Sequence, residues 1–95
     1  MPPSAQTVEF AIRGPIARGD LPGLCARVCA LLEAAGPDFA VCDVHDVPAD
    51  AVTVEALARL QLGARHCGCR VRLRGASPEL RRLIDFLGLA NVLAE

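Results

Sequence analysis

Residues 39–57 read "FAVCDVHDVPADAVTVEAL". Phe39–Val44 is apolar nearly throughout, as a central strand covered on both faces would be. An acidic loop follows and ends in Asp50. From Ala51 the pattern changes period: Val54, Leu57 and Ala58 recur at helical spacing, with Gln61 next on the same stripe and Leu60 and Ala64 on its shoulder. A strand that runs through a short corner into a helix is the repeating unit of a parallel sheet. The corner itself is unusual for its carboxylates: Asp43, Asp46, Asp50 and Glu55 fall within it or beside it. Asp50, just before the first helical residue, is placed to cap the helix.

Working outward, the same alternation recurs. Thr7–Arg13, "TVEFAIR", sets Val8, Phe10 and Ile12 against Glu9, Ala11 and Arg13, the two-residue period of a half-buried strand. Gly14-Pro15 ends it. Asp20 is expected to cap a helix whose stripe is Leu21, Leu24, Cys25, Val28, Leu32 and Ala35, stopped by Gly36-Pro37. The central helix spans 51–66 and closes near Gly68. Cys69–Arg74, "CRVRLR", alternates again, with three arginines outward. Ser77 caps a third helix with Pro78 at its first position, where a missing N–H is harmless. Leu80, Leu83, Ile84 and Leu87 form its stripe, and a stub of strand is expected at 91–93. Strands separated by helices of this length imply right-handed crossovers and a small, largely parallel α/β sheet with alternating helices.

The chain of 95 residues has room for one domain, residues 7–95, with residues 1–6, "MPPSAQ", expected to be flexible. Its apolar content of 53% suffices for a core, which Leu, Val, Ala and Cys must build because Trp and Tyr are absent. A net charge of −1 argues against bulk nucleic-acid binding. The charge is uneven, however: residues 1–50 hold seven acids and three arginines, and residues 51–95 hold seven arginines and four acids. No run approaches the roughly 18–20 apolar residues of a membrane span. Met1 is followed by prolines rather than by a basic and then apolar leader, so a cytoplasmic protein with five reduced thiols is expected.

From Val41 onward the string resembles a STAS domain, the fold of bacterial anti-sigma-factor antagonists. "VCDVHDV" is similar to that family's apolar strand ending in Asp. "EALARLQLGARHCGCRVRLRGASPELRRLIDFLGL" is similar to its second helix, strand, turn and third helix. The resemblance covers about residues 7–93 and implies a non-enzymatic interaction module. Its functional mark is Asp-Ser-Ser-Gly or a close variant, whose first hydroxyl accepts phosphate. The matching residues here are Asp50, Ala51, Val52 and Thr53. Ala51 replaces the acceptor, Val52 the second hydroxyl, and Thr53 the glycine. An acidic residue that the family carries after its first strand is Ala17 here. The resemblance therefore implies a docking surface at Asp46, Asp50, Ala51, Val52, Thr53 and Glu55 without the usual phosphate switch. Thr53 is the one remaining hydroxyl that could take its place.

Cys25 and Cys29 lie one helical turn apart, His66, Cys67 and Cys69 cluster, and Cys42 and His45 share a strand. Zinc needs four converging ligands, usually from two knuckles, and "HCGC" has no second half; these thiols read as core, and neither a metal nor a cofactor is expected. No phosphate-binding glycine loop is present, and nothing in the sequence joins Cys67 to His45 as nucleophile and base, so no enzyme activity is expected. "GASPEL" reads as an ordinary turn. Arg70, Arg72 and Arg74, with Arg81 and Arg82, read as a charged face that discourages strand pairing.

The resemblance to anti-sigma-factor antagonists implies binding to an anti-sigma factor or a histidine-kinase-like ATPase, free of phosphate control. The alternative is an accessory subunit of an Mla-type lipid ABC transporter. Self-association is open: apolar shoulders such as Leu60 and Leu62 could support a homodimer, but the sequence offers no register for one.

Overall fold

The computed structural model describes residues 7–36 and 38–93. The elements follow in the order β1 (Thr7–Arg13), α1 (Leu21–Ala35), β2 (Phe39–Asp46), α2 (Ala51–His66), β3 (Arg70–Arg74) and α3 (Pro78–Phe86), with a single 3₁₀ turn at Arg18–Asp20 before α1. The three strands form one parallel sheet in the order β1-β2-β3. This is the small α/β fold with alternating helices that the sequence implied. The expected flexible segment 1–6 lies outside the described residues.

Register explains which side chains face the helices. Val8 and Val71 flank Ala40, and Phe10 and Leu73 flank Cys42. Ala40, Cys42, Val44, Val71, Leu73 and Ile12 are buried, together with Leu21, Val28 and Leu32 of α1 and Val54, Leu57 and Leu60 of α2. Small residues on β2 let both helices approach the sheet closely. At Gly63 an added Cβ would lie 2.7 Å from the Cys29 sulfur, so a larger residue there would force the Cys29 side chain or the helices to shift.

Several expectations are corrected. The strand β2 is covered on one face only: Ala40, Cys42 and Val44 are buried, whereas Phe39, Val41 and Asp43 are half-buried on the side that also carries exposed Glu9, Ala11, Arg70, Arg72 and Arg74. Asp20 does not cap α1 with its side chain; it closes the 3₁₀ turn, and its carboxylate accepts from the Ala17 N–H at 3.2 Å. Ala35 and Leu87 are exposed, and Ala58, Leu24, Cys25 and Leu83 only half-buried. Leu60 is part of the core, which leaves Leu62 alone exposed of the two leucines proposed for a homodimer. The strand stub at 91–93 is a turn instead. Cys69 is buried but precedes β3.

One polar side chain ties the far edge together. The buried Gln61 amide donates to the carbonyls of Val71 and Val92, each at 2.8 Å, and its oxygen accepts from the Val71 N–H at 2.9 Å. It thus makes the bonds that a fourth strand would make at Val71, and it anchors the C-terminal turn. Replacing Gln61 with Leu orphans three backbone groups at once. The expected loss is about 2–4 kcal/mol of unfolding free energy, read by urea denaturation. A loss under about 0.5 kcal/mol would show that these groups find other partners.

Candidate functional site

The corner after β2 is assembled from both sides. The β1–β2 register shifts after Ala11, which brings Arg13 opposite Asp46, and the Gly14 N–H donates to the Asp46 carbonyl at 3.1 Å. A Cβ on Gly14 would collide with the Pro48 ring. Val47 is buried and Pro48 half-buried, so the short loop is pinned rather than loose. Asp50 is extended, and its Oδ1 accepts from the Thr53 N–H at 2.8 Å. This is the N-cap that the sequence suggested, a contact stabilising the helix by about 1 kcal/mol.

The first turn of α2 divides cleanly. Ala51 is exposed and Val52 half-exposed, with Asp46 and Asp50 exposed beside them. Thr53 is 0% exposed, and its hydroxyl has no hydrogen-bond partner among the described residues. The one hydroxyl at the corner is therefore turned into the core, and a phosphate donor cannot reach it in this conformation. Because α2 begins at Ala51, its third residue lies about 200° round the helix and falls on the sheet side, opposite Ala51.

The carboxylates do not form a free acidic lip. Glu55, half-buried, pairs with Arg18 at 3.2 Å and with Arg59 at 3.3 Å. Asp43 lies on the open face of the sheet, 3.7 Å from Arg74, which also holds Glu9 at 3.0 Å. His45 Nδ1 lies 2.6 Å from Asp43 Oδ1, and His45 Nε2 lies 3.6 Å from Asp46. The expected docking residues therefore separate: Asp46, Asp50, Ala51 and Val52 share an accessible corner, Thr53 is internal, and Glu55 is bound to two arginines. The Glu55–Arg59 spacing of four residues was readable as a helical ion pair. Arg18, by contrast, is 37 residues from Glu55 in sequence, and no local pattern joins them.

The His45–Asp43 pair is electrically coupled. Hydrogen bonds from the His45 backbone and ring hold the Asp43 carboxyl below its usual range, with the charges of His45 and Arg74 adding to the effect. The Asp43 contact, its charge and that of Asp46 raise His45, against the opposing charge of Arg13. A raised histidine stabilises the fold fully below its unfolded value and loses that contribution as pH rises through its folded value. The lowered Asp43 contributes above its unfolded value and loses that contribution as pH falls through its folded one.

Cys25, Cys29, Cys67 and Cys69 lie near one another between α1 and the end of α2, and Cys42 stands apart on β2. Burial pushes the Cys42 thiol up to about 12 and raises Cys25 and Cys69 as well; only Cys42 and Cys69 are core thiols, and the expectation of a core position is corrected for Cys25, Cys29 and Cys67, which are half-buried. Among the described residues, no three His, Cys, Asp or Glu side chains converge as metal ligands. Within them, no helix is long and apolar enough to cross a membrane.

Comparison with known proteins supports the architecture. No protein-family model and no curated protein matches the chain. Among solved structures it is similar to the crystal structure of a sulfate transporter family protein from Wolinella succinogenes, with a TM-score of 0.64 at 22% identity, over 93% of this chain and 71% of that one. The likeness shows the fold, which is STAS-like.

Two measurements check the corner. The His45 ring, followed by NMR, is expected to titrate above the ordinary value of about 6.5, and Asp43→Asn should return it toward that value. Thr53→Val removes a buried hydroxyl that has no partner, and it is expected to raise unfolding free energy by about 1 kcal/mol in urea melts. Destabilisation of that size would instead place a hydrogen bond on Thr53.

Proposed function

We propose that this chain is a non-enzymatic interaction module of the anti-sigma-factor-antagonist kind. It docks the start of α2 on an anti-sigma factor or a histidine-kinase-like ATPase, in the cytoplasm, and phosphate does not control the contact. One observation carries this reading. The corner that would hold the phosphate acceptor presents the methyl group of Ala51, while the neighbouring hydroxyl of Thr53 lies wholly in the core.

The physical logic is that of a fixed knob. A hydroxyl exposed at a helix N-terminus can be converted to a phosphate carrying about two negative charges, which changes how the surface meets an acidic or basic partner. A methyl group at that place gives one surface in all conditions. Val52 and Ala51 supply an apolar centre, and Asp46 and Asp50 a polar rim, an arrangement suited to protein contact. Asp50 is also held by its own cap bond, so the knob is ordered before a partner arrives.

The test uses the purified chain with an anti-sigma factor kinase of the histidine-kinase-like ATPase fold. Its affinity, measured by calorimetry, is expected to be the same within about twofold with and without magnesium-ATP. No phosphate should be found on the chain by mass spectrometry. Ala51→Glu, which restores negative charge at the knob, should weaken the complex by about tenfold or more. ATP-driven release with phosphate on Thr53 would overturn the proposal. Selective binding to a transporter ATPase instead would favour the accessory-subunit alternative.

A further inference from the structure

The two edges of the sheet differ. At β3, the Gln61 amide occupies the Val71 N–H and C=O, so that edge is partly closed by the protein itself. At β1, the sheet continues to β2 on one side, and no described strand pairs with the other. A groove of about 580 Å³ runs along this open side. Residues 10–13 line it in unbroken succession, which places it along the strand's edge, since consecutive side chains point to opposite faces. Its other wall is a single stripe of α1, where Gly23, Leu24, Arg27, Val28 and Leu31 fall at three- and four-residue spacing.

The lining has a definite chemistry. Phe10, Ile12, Leu24, Val28 and Leu31 form an apolar floor, and Leu31 is 40% exposed. Gly19 and Gly23 keep the helix wall low. Arg13 and Arg27 flank the floor, and neither has a carboxylate within ion-pair reach among the described residues. Most arginines at the corner and on the open sheet face are committed: Arg18 and Arg59 to Glu55, Arg74 to Glu9 and Asp43, and Arg72 to the ring of Phe39, 4.9 Å away, while Arg70 lies on the far strand, away from the groove. Asp20 is the one acid lining the groove, and it already accepts from the Ala17 N–H.

We infer that this groove receives an extended acidic segment of a partner protein, which adds to β1 as a further strand. Strand addition satisfies the free edge of the backbone, and side chains of alternate residues then choose the partner. One face of the incoming strand sets apolar side chains on the floor; the carboxylates of its other face meet Arg13, which shares that face with Glu9 and Ala11, and Arg27 adds its positive charge from the helix rim. A second copy of this chain is a poorer occupant. Its own open strand offers Glu9 as its only acid, already bound to Arg74, and brings another Arg13. The groove adjoins the corner at Arg13, which lies opposite Asp46 in the sheet, but no residue of 46–55 lines it.

The test is a titration of the isotope-labelled full chain with a blocked heptapeptide of alternating glutamate and valine. A matched peptide of alternating lysine and valine is the control. Amide shifts are expected at residues 7–13 and along residues 20–31, with the start of α2 at 50–55 unmoved. The lysine peptide should bind at least about tenfold more weakly, and the preference should shrink as salt is raised. An Arg13→Glu/Arg27→Glu variant should lose the glutamate peptide by a similar factor; if it does not fold, the two peptides on the unaltered chain decide. Equal binding of both peptides, shifts at 50–55 in place of 7–13, or no shifts would overturn the inference. So would a dimer that closes the same strand edge.

Discussion

Two right-handed crossovers taken in the same direction fix where everything else in this chain must lie. With the strand order β1-β2-β3, both α1 and α2 are carried to one face of the sheet. There they pack on each other, at the Cys29–Gly63 approach, and on Ala40, Cys42 and Val44. The same constraint delivers the three strand ends to one rim. That is why Gly14 meets Pro48, why Arg18 reaches Glu55, and why Gly75 passes close over His45. The candidate corner is thus a product of topology before it is a product of its own residues.

Much of this was legible in the sequence, because short periods report local geometry. "TVEFAIR" and "RVRLR" alternate as their burial does, and the caps at Asp50 and Ser77 are where the residue types placed them. What the sequence did not disclose was non-local. An apolar run such as "FAVCDV" looks the same whether its second face is covered by helices or left half-open beside arginines. Gln61 sits on a buried stripe, and nothing in its neighbours foretells that its amide serves the Val71 edge ten residues away. Parity along β2 did hold one overlooked signal: counted from Phe39, Asp43 and His45 fall on the open face together, away from Val44. The acidic corner therefore read as more uniform than it is.

The charge arrangement changes how docking at the corner is to be understood. With Glu55 held by two arginines and Asp43 by Arg74 and His45, the corner is not a field of spare negative charge. Recognition there rests on the shape of Ala51 and Val52 and on the exposed carboxylates of Asp46 and Asp50. Exposed ion pairs of this type add little stability on their own. Their use is to hold the loop and the helix start in one arrangement, so that little conformational freedom remains to be lost on binding.

The central claim is that the first turn of α2 is a preformed, rigid surface in the free protein. Native-state amide exchange of Thr53 and Val54, the first N–H groups held by Asp50, addresses it directly. Both exchange slowly in the free protein, and Asp50→Ala strips protection from Thr53, whose acceptor is the lost carboxylate, more than from Val54, whose acceptor is the Asp50 main-chain carbonyl. Rapid exchange of both in the unaltered chain, at the rate of an open loop, would contradict it.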